Sequence, residues 1–109
     1  MQLRLDKTWK PLDAEHVAAL PGQLGVYQIA DAGGTVSRIG FAGAKTLFGL
    51  RSALEQELQR RPTGAQFRVE VNTQYQSRWR ELLMLHKADH GQLPVDNSDK
   101  DAVGLGRLS

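Results

Sequence analysis

Three short stretches of the chain have the residue pattern of β-strands. The first two, residues 25–30 and 35–41, flank the turn-forming cluster Asp31-Ala32-Gly33-Gly34, and this arrangement predicts a β-hairpin. The third, residues 67–71, is apolar at odd positions and charged at even positions, so we expect it to be half-buried and to pair with the hairpin. The pattern therefore predicts a small, largely antiparallel, three-stranded sheet.

The length of the hairpin loop decides which residues lie opposite each other. If all four residues of the cluster form the loop, Tyr27 lies opposite Arg38, and the phenol and the guanidinium share one face of the sheet. A two-residue turn at Gly33-Gly34 instead places Tyr27 opposite Gly40. The sequence leaves both registers open.

Three other segments are predicted to be helical, and they span residues 14–20, 46–60 and 77–90. Asp13 is suited to cap the first helix, and Thr46 can cap the second, which carries a stripe of leucines. Gly91 is well placed to terminate the third helix. Helices and strands together predict an α+β fold with the order β-β-α-β-α after a short N-terminal helix.

The 109 residues are enough for one domain with one modest core. We divide the chain into an N-terminal extension with a short helix (1–20), a central domain (21–97) and a polar tail (98–109). The chain has no cysteine, which excludes disulfides and thiolate metal sites. It has no charged-then-apolar leader and no apolar run of membrane length, so we expect a soluble, cytoplasmic protein.

The charge is unevenly distributed along the chain. Residues 38–87 hold nine Arg and Lys against four Asp and Glu, a net charge of +5, whereas the net charge of the whole chain is +2. A basic centre suits a polyanionic partner such as nucleic acid, bound through salt-sensitive phosphate contacts. The alternative is an ordinary solvated basic surface.

Several short motifs occur in an order that resembles the GIY-YIG endonuclease domain. Gly25-Val26-Tyr27 is similar to the first motif of that family, and Arg38-Ile39-Gly40 is similar to the second, with arginine in place of the tyrosine. Arg51 on the second helix, Glu81 on the third helix and the segment Pro94-Val95-Asp96-Asn97 resemble the later motifs. The resemblance covers residues 21–97.

The resemblance implies a nuclease that hydrolyses phosphodiesters with a divalent metal ion. It implies catalytic roles for Tyr27, Arg51 and Glu81, with Glu81 as the ligand of Mg²⁺ or Mn²⁺. Arg51 would clamp the phosphate, and Tyr27 would orient or deprotonate the attacking water. It also implies nucleic-acid contacts by Arg38, Lys45 and Asn97, with DNA as the expected substrate. We therefore expect Tyr27, Arg38, Arg51 and Glu81 around one concave patch.

An alternative remains open both for the role of Glu81 and for the function of the domain. Glu81 has partly apolar surroundings, and a structural ion pair with Arg78, Arg80, Lys45 or Arg51 would account for it as well as a metal ion would. The loss of the second tyrosine, at Arg38, favours a degenerate domain of the same fold that binds nucleic acid or a protein partner without cutting.

Overall fold

The structure is a computed structural model, and it describes residues 4–44 and 46–97. In chain order the elements are β1 (Lys10–Pro11), α1 (Ala14–Ala18), β2 (Gly25–Ala30), β3 (Val36–Ala42), α2 (Gly49–Arg60), β4 (Gln66–Val71) and α3 (Tyr75–His90). The α+β class predicted from the sequence is confirmed, and the chain between β2 and α3 follows the predicted β-β-α-β-α order. None of the described helices is both long and apolar enough to cross a lipid bilayer.

The sheet is antiparallel and has the strand order β1-β4-β2-β3. The prediction of three strands is wrong, because Lys10 and Pro11 pair with Phe67 and Gln66 at the outer edge of β4. A strand of two residues, one of them proline, has no alternating pattern by which to recognise it. Proline is compatible with this position because β1 is an edge strand.

A bulge sets the register of the hairpin. Asp31 and Thr35 close the turn, and Ser37 is left without a cross-strand partner because Ile29 pairs with Arg38 while Ala30 pairs with Val36. The extra residue shifts the register by one position, so Tyr27 lies opposite Gly40. The register that places Tyr27 opposite Arg38 is therefore wrong, and Arg38 is instead a diagonal neighbour of Tyr27 on the same face.

The sheet separates two apolar clusters. The cluster on one face joins α1 and α2 to the sheet and contains Leu12, Val17, Leu20, Tyr27, Ile29, Ala42, Leu50, Ala53, Leu54, Ala65 and Phe67. The cluster on the other face joins α3 to the sheet and contains Leu5, Val26, Ile39, Leu82 and Leu83. Successive residues of a strand point to opposite faces, which is why Val26 and Tyr27 belong to different clusters. Helices α2 and α3 therefore lie on opposite sides of the sheet.

The helix ends agree with the sequence prediction at some positions and differ at others. Asp13 caps α1 by accepting a hydrogen bond from the backbone N–H of His16 at 2.8 Å, and Gly91 ends α3 in the left-handed conformation, as predicted. Helix α2 begins at Gly49 and not near Thr46, because Phe48 has a left-handed backbone with φ 62°. A bulky residue in that conformation is strained.

The N-terminal extension packs into the same cores as the rest of the chain. Leu12, Val17 and Leu20 belong to the cluster beneath α2, and Leu5 belongs to the cluster beneath α3. Described residues before Pro21 thus contribute to both sides of the sheet. The predicted tail, 98–109, lies outside the described residues.

Candidate functional site

The two glycine-containing motifs meet where Tyr27 crosses Gly40. These residues lie opposite each other in β2 and β3, and a Cβ atom on Gly40 would lie 2.4 Å from the tyrosine ring. Only glycine leaves room for the ring to lie flat against the neighbouring strand. The ring of Tyr27 passes over Gly40, and its hydroxyl group reaches α2.

Glu57 of α2 receives the hydroxyl group of Tyr27. The hydroxyl donates to Glu57 Oε2 at 2.6 Å, and Arg38 Nε donates to the same oxygen at 2.8 Å. Arg61, one turn further along the chain, donates from Nη2 to Glu57 Oε1 at 2.9 Å. Only 2% of the Glu57 residue surface is exposed, and such a buried carboxylate requires charged or hydrogen-bonding partners.

Asp96 covers this group on the solvent side. Arg61 forms an ion pair with the Asp96 carboxylate, and Arg38 Nη1 donates to the backbone oxygen of Asp96 at 3.2 Å. The backbone N–H of Asp96 donates to Ser37 O at 2.8 Å, which fixes its segment beside β3. We call Tyr27, Arg38, Glu57, Arg61 and Asp96 the Glu57 cluster. Its two carboxylates and two guanidiniums balance in charge.

The cluster sets the protonation states of its acidic groups. Burial raises the pKa of Tyr27 to about 12, and the negative charge of Glu57 adds to this effect. Burial by itself raises the pKa of Glu57, but the hydrogen bonds from Tyr27 and Arg61 and the guanidinium charges outweigh it and hold that pKa below its usual value. Near neutral pH the cluster thus holds a protonated phenol and an ionised carboxylate. A phenol in this state is poorly suited to accept a proton from water.

Asn97 binds the backbone of the second motif. Its side-chain oxygen accepts from Ile39 N and its side-chain nitrogen donates to Ile39 O, both at 2.9 Å. The turn that presents it is closed by a bond from Asn97 N to Pro94 O at 3.0 Å. Trp79 of α3 donates from Nε1 to the same Ile39 oxygen at 2.9 Å. Both polar ends of the Asn97 side chain thus stabilise the outer edge of β3.

Arg51 binds the backbone of the segment that follows α1. It lies in the first turn of α2, and its Nε donates to the backbone oxygen of Leu20 at 2.9 Å. This bond joins the start of α2 to Leu20, two residues after the end of α1. Lys45, predicted as a nucleic-acid contact, lies outside the described residues.

Glu81 lies on the opposite side of the sheet from Tyr27. It is exposed on α3 and forms an ion pair with Arg78, which also bonds to Glu70 of β4 at 2.8 Å. The expectation that Glu81 shares a concave patch with Tyr27 is therefore wrong, whereas the alternative of an ion pair with Arg78 is confirmed.

The side chains around Glu81 do not fit the metal ion that the resemblance implies. Within residues 4–44 and 46–97, no three His, Asp or Glu side chains are grouped so as to hold a metal ion. Glu81 is already paired with a guanidinium, and a site for Mg²⁺ needs several oxygen ligands.

The structure joins Tyr27 and Arg38, as expected, but through an acid that sequence reasoning missed. Glu57 lies seven residues after Leu50 and three after Leu54, which places it on the apolar stripe of α2. A charged residue on an apolar stripe is the signal that would have identified it. Arg61 and Asp96 were also missed; Arg61, four residues after Glu57, was recognisable as its partner, whereas Asp96 comes from a distant segment.

Comparison with protein-family models gives one match. The model of DUF7508, described as a domain of unknown function, matches residues 1–89. The matched region includes Tyr27, Glu57 and Glu81 and ends before Asp96. No curated protein matches the chain, and no solved structure matches it either.

Proposed function

The chain belongs to the DUF7508 family, and we propose that it is a GIY-YIG-like module that binds a protein partner and does not cleave phosphodiesters. The observation that carries this proposal is the position of the sheet between Tyr27 and Glu81. The two residues that a metal-dependent nuclease would need in one place face opposite sides of the molecule.

Two structural features support a GIY-YIG-like fold. The strands that carry the two motifs form an antiparallel hairpin, and the chain then continues through a helix, a strand and a second long helix. The segment ending in Asn97 returns to the second motif and binds the backbone of Ile39. The two hairpin motifs and the closing segment are thus adjacent in space, whereas Arg51 and Glu81 lie apart from them.

The Glu57 cluster supports a structural role for the remaining motif residues. The hydroxyl group of Tyr27 is buried and donates to Glu57, so it is not available to orient a water molecule at the surface. Arg38 uses its Nε and one Nη within the same cluster. Tyr27 and Arg38, which belong to the two hairpin motifs, therefore hold the hairpin against α2.

Exposed apolar residues favour a protein partner over nucleic acid. Leu47, Phe48 and Val71 are 74%, 60% and 50% exposed. The backbone of Phe48 lies against Gly22, and Asn72, next to Val71, bonds to Leu24. Phe48 and Val71 therefore flank the short segment 22–24, and Leu47 precedes Phe48 in the chain. Exposed apolar residues that cluster on a surface are typical of protein interaction sites. By contrast, the predicted nucleic-acid contacts Arg38 and Asn97 are engaged within the fold.

A cleavage assay tests the proposal against the nuclease prediction. Purified protein is incubated with Mg²⁺ or Mn²⁺ and single-stranded, duplex and branched DNA, alongside the Glu81→Ala and Arg51→Ala variants. We expect no cleavage by any of the three proteins. Cleavage by the unmodified protein that is lost in Glu81→Ala would overturn the proposal and support the nuclease. Equal cleavage by all three, removed by a further purification step, identifies a contaminating enzyme.

A further inference from the structure

Half of the outer edge of β4 has no neighbouring strand. Asn72 N donates to Leu24 O, and this bond continues the antiparallel ladder between β2 and β4. It shows which residues of β4 direct their N–H and C=O groups towards β2. Even-numbered residues of β4 therefore bond towards β2, and Phe67, Val69 and Val71 direct their backbone groups outwards. Strand β1 pairs with Phe67 and Gln66 alone, so within the described residues no strand faces Val69 or Val71.

The N-terminal segment explains why this edge is open. The Arg68 guanidinium lies over the Trp9 ring, with its central carbon 4.1 Å from the ring centre. Arg68 also bonds to Gln28 on the α3 face of the sheet. Leu5 is buried in the cluster beneath α3. Preceding β1, the chain thus crosses from the edge of β4 to the α3 side, leaving the backbone of residues 69–71 uncovered.

A groove of about 430 Å³ follows this edge. We call it the β4 edge groove, and Lys7, Thr8, Lys10, Leu20, Val69 and Val71 are among its lining residues. Leu20 and the two valines give it an apolar floor, and Val71 is half exposed. An uncovered strand edge beside apolar side chains is a template for pairing with another chain.

The charges of the groove select the kind of chain that fits. Lys7 and Lys10 are exposed, and neither forms an ion pair with a carboxylate of the described residues. Glu70 also lines the groove, where it is paired with Arg78 and lies close enough to Lys7 for that charge to act on it. With Arg68, the lining residues hold three cations against this one carboxylate. A second copy of the protein would bring the same lysines to the contact, and like charges would oppose pairing. The groove therefore favours an extended segment rich in Asp and Glu.

The backbone groups of the edge favour a peptide over nucleic acid. Val69 and Val71 each present one N–H donor and one C=O acceptor, spaced as in a β-strand. A peptide strand supplies the complementary acceptor and donor at each position. A phosphodiester backbone supplies acceptors alone and leaves the carbonyl groups without donors.

We propose that the β4 edge groove binds an acidic, extended segment of a partner protein by strand addition to Val69 and Val71. Lys7 and Lys10 contact the carboxylates of the segment, and the apolar floor accepts the side chains between them. The proposal rests on the proposed function as a protein-binding module and identifies its binding surface. Because the lysines are exposed, the affinity decreases as the salt concentration rises.

Labelled peptides and backbone amide NMR test the proposal. The probe is a capped six-residue peptide of alternating glutamate and valine, compared with its lysine–valine counterpart and with oligo-dT, at 50 mM and 300 mM NaCl. We expect binding of the glutamate peptide alone, at least ten-fold weaker in high salt. The amide resonances of Val69 and Val71 should shift, and their hydrogen exchange should slow.

Two variants and a matched control locate the contact. Charge reversal by Lys7→Glu with Lys10→Glu should weaken binding at least ten-fold, whereas the same change of charge on α3, by Arg80→Glu with Lys87→Glu, should alter it less than two-fold. Val71→Pro removes one outward N–H and should weaken binding similarly. If that variant does not fold, the amide shifts of the unmodified protein still decide the outcome.

Several results would overturn the proposal. These are equal binding of the two peptides, binding that leaves the Val69 and Val71 amides unchanged, preferential binding of oligo-dT at the lysines, and no binding at millimolar peptide. DNA cleavage lost in Glu81→Ala, together with normal peptide binding at the edge, would overturn the proposed lack of catalysis and leave this surface standing.

Discussion

Glu57 and Glu81 are carboxylates on the two long helices, and they have very different surroundings. Glu57 faces the sheet from α2, is 2% exposed and receives hydrogen bonds from Tyr27, Arg38 and Arg61. Glu81 faces solvent from α3 and is paired with Arg78, one turn away on the same helix. A glutamate is thus buried and joins three side chains on one face of the sheet, whereas on the other face it is exposed and forms one surface ion pair.

The position of each acid on its helix decides its role. Glu81 resembles the acidic residue of a nuclease family through its place in the order of motifs. Glu57 occupies the side of α2 that packs on the hairpin, where a charge is tolerated only with partners. Burial and partners, and not the order of motifs, identify Glu57 as the central carboxylate.

The largest effect is expected from Glu57→Ala. The substitution leaves the Arg38 and Arg61 guanidiniums without their buried counterion, and we expect the free energy of unfolding to fall by about 3 kcal/mol. Urea denaturation at pH 7 measures this loss. Glu57→Gln is the control that retains the shape and removes the charge, and it should be intermediate. A loss below about 0.5 kcal/mol in Glu57→Ala would show that the cluster contributes little to stability.

A smaller effect, dependent on pH, is expected from Tyr27→Phe. Loss of the bond to an ionised acceptor should cost about 2 kcal/mol at pH 7. Burial raises the pKa of Tyr27 to about 12, so its contribution is complete below about pH 10 and is lost progressively between about pH 10 and 12.

The difference in free energy of unfolding between the unmodified protein and Tyr27→Phe should therefore narrow as the pH rises. Urea denaturation of the two proteins at pH 7, 10.5 and 11.5 measures it. Tyr75 is present in both proteins and cancels in the comparison. A difference that stays constant to pH 11.5 would contradict the raised pKa.

The smallest effect is expected from Glu81→Ala. The side chain is exposed, and Arg78 keeps its bonds to Glu70 when Glu81 is removed. We expect the free energy of unfolding to change by less than about 0.5 kcal/mol, as for most exposed ion pairs. Thermal and urea denaturation in parallel with Glu57→Ala provide the comparison. A loss as large as that in Glu57→Ala would remove the distinction between the two faces.

Periodicity predicted the larger elements of the fold well. Strand β2 has the predicted bounds, and the Asp13 cap and the Gly91 terminator both lie where their residue types predict them. The errors are local. The start of α2 depends on the left-handed backbone of Phe48, and the hairpin register depends on the bulge at Ser37. Neither feature has a residue type that reveals it, since glycine and asparagine are the usual residues of left-handed positions.

The candidate site was less predictable because it depends on contacts between distant segments. Asp96 meets Arg61 across 35 residues, and Arg38 meets Glu57 across 19. The face on which α3 packs is fixed by Val26 and Ile39 on the sheet, and spacing along α3 alone does not specify it. The sequence identified residues capable of chemistry, whereas tertiary packing determined which of them meet.

The segment from Pro94 to Asn97 has a consequence for how the domain is delimited in experiments. The family match ends at residue 89, seven residues before Asp96. A truncation at that boundary would remove the Asp96 carboxylate, which pairs with Arg61, and the Asn97 side-chain amide, which binds the outer edge of β3. In the shortened polypeptide the outer edge of β3 would be uncovered and could pair with another copy of the chain. Recombinant versions therefore need to extend at least through Asn97 for their behaviour to represent the folded unit.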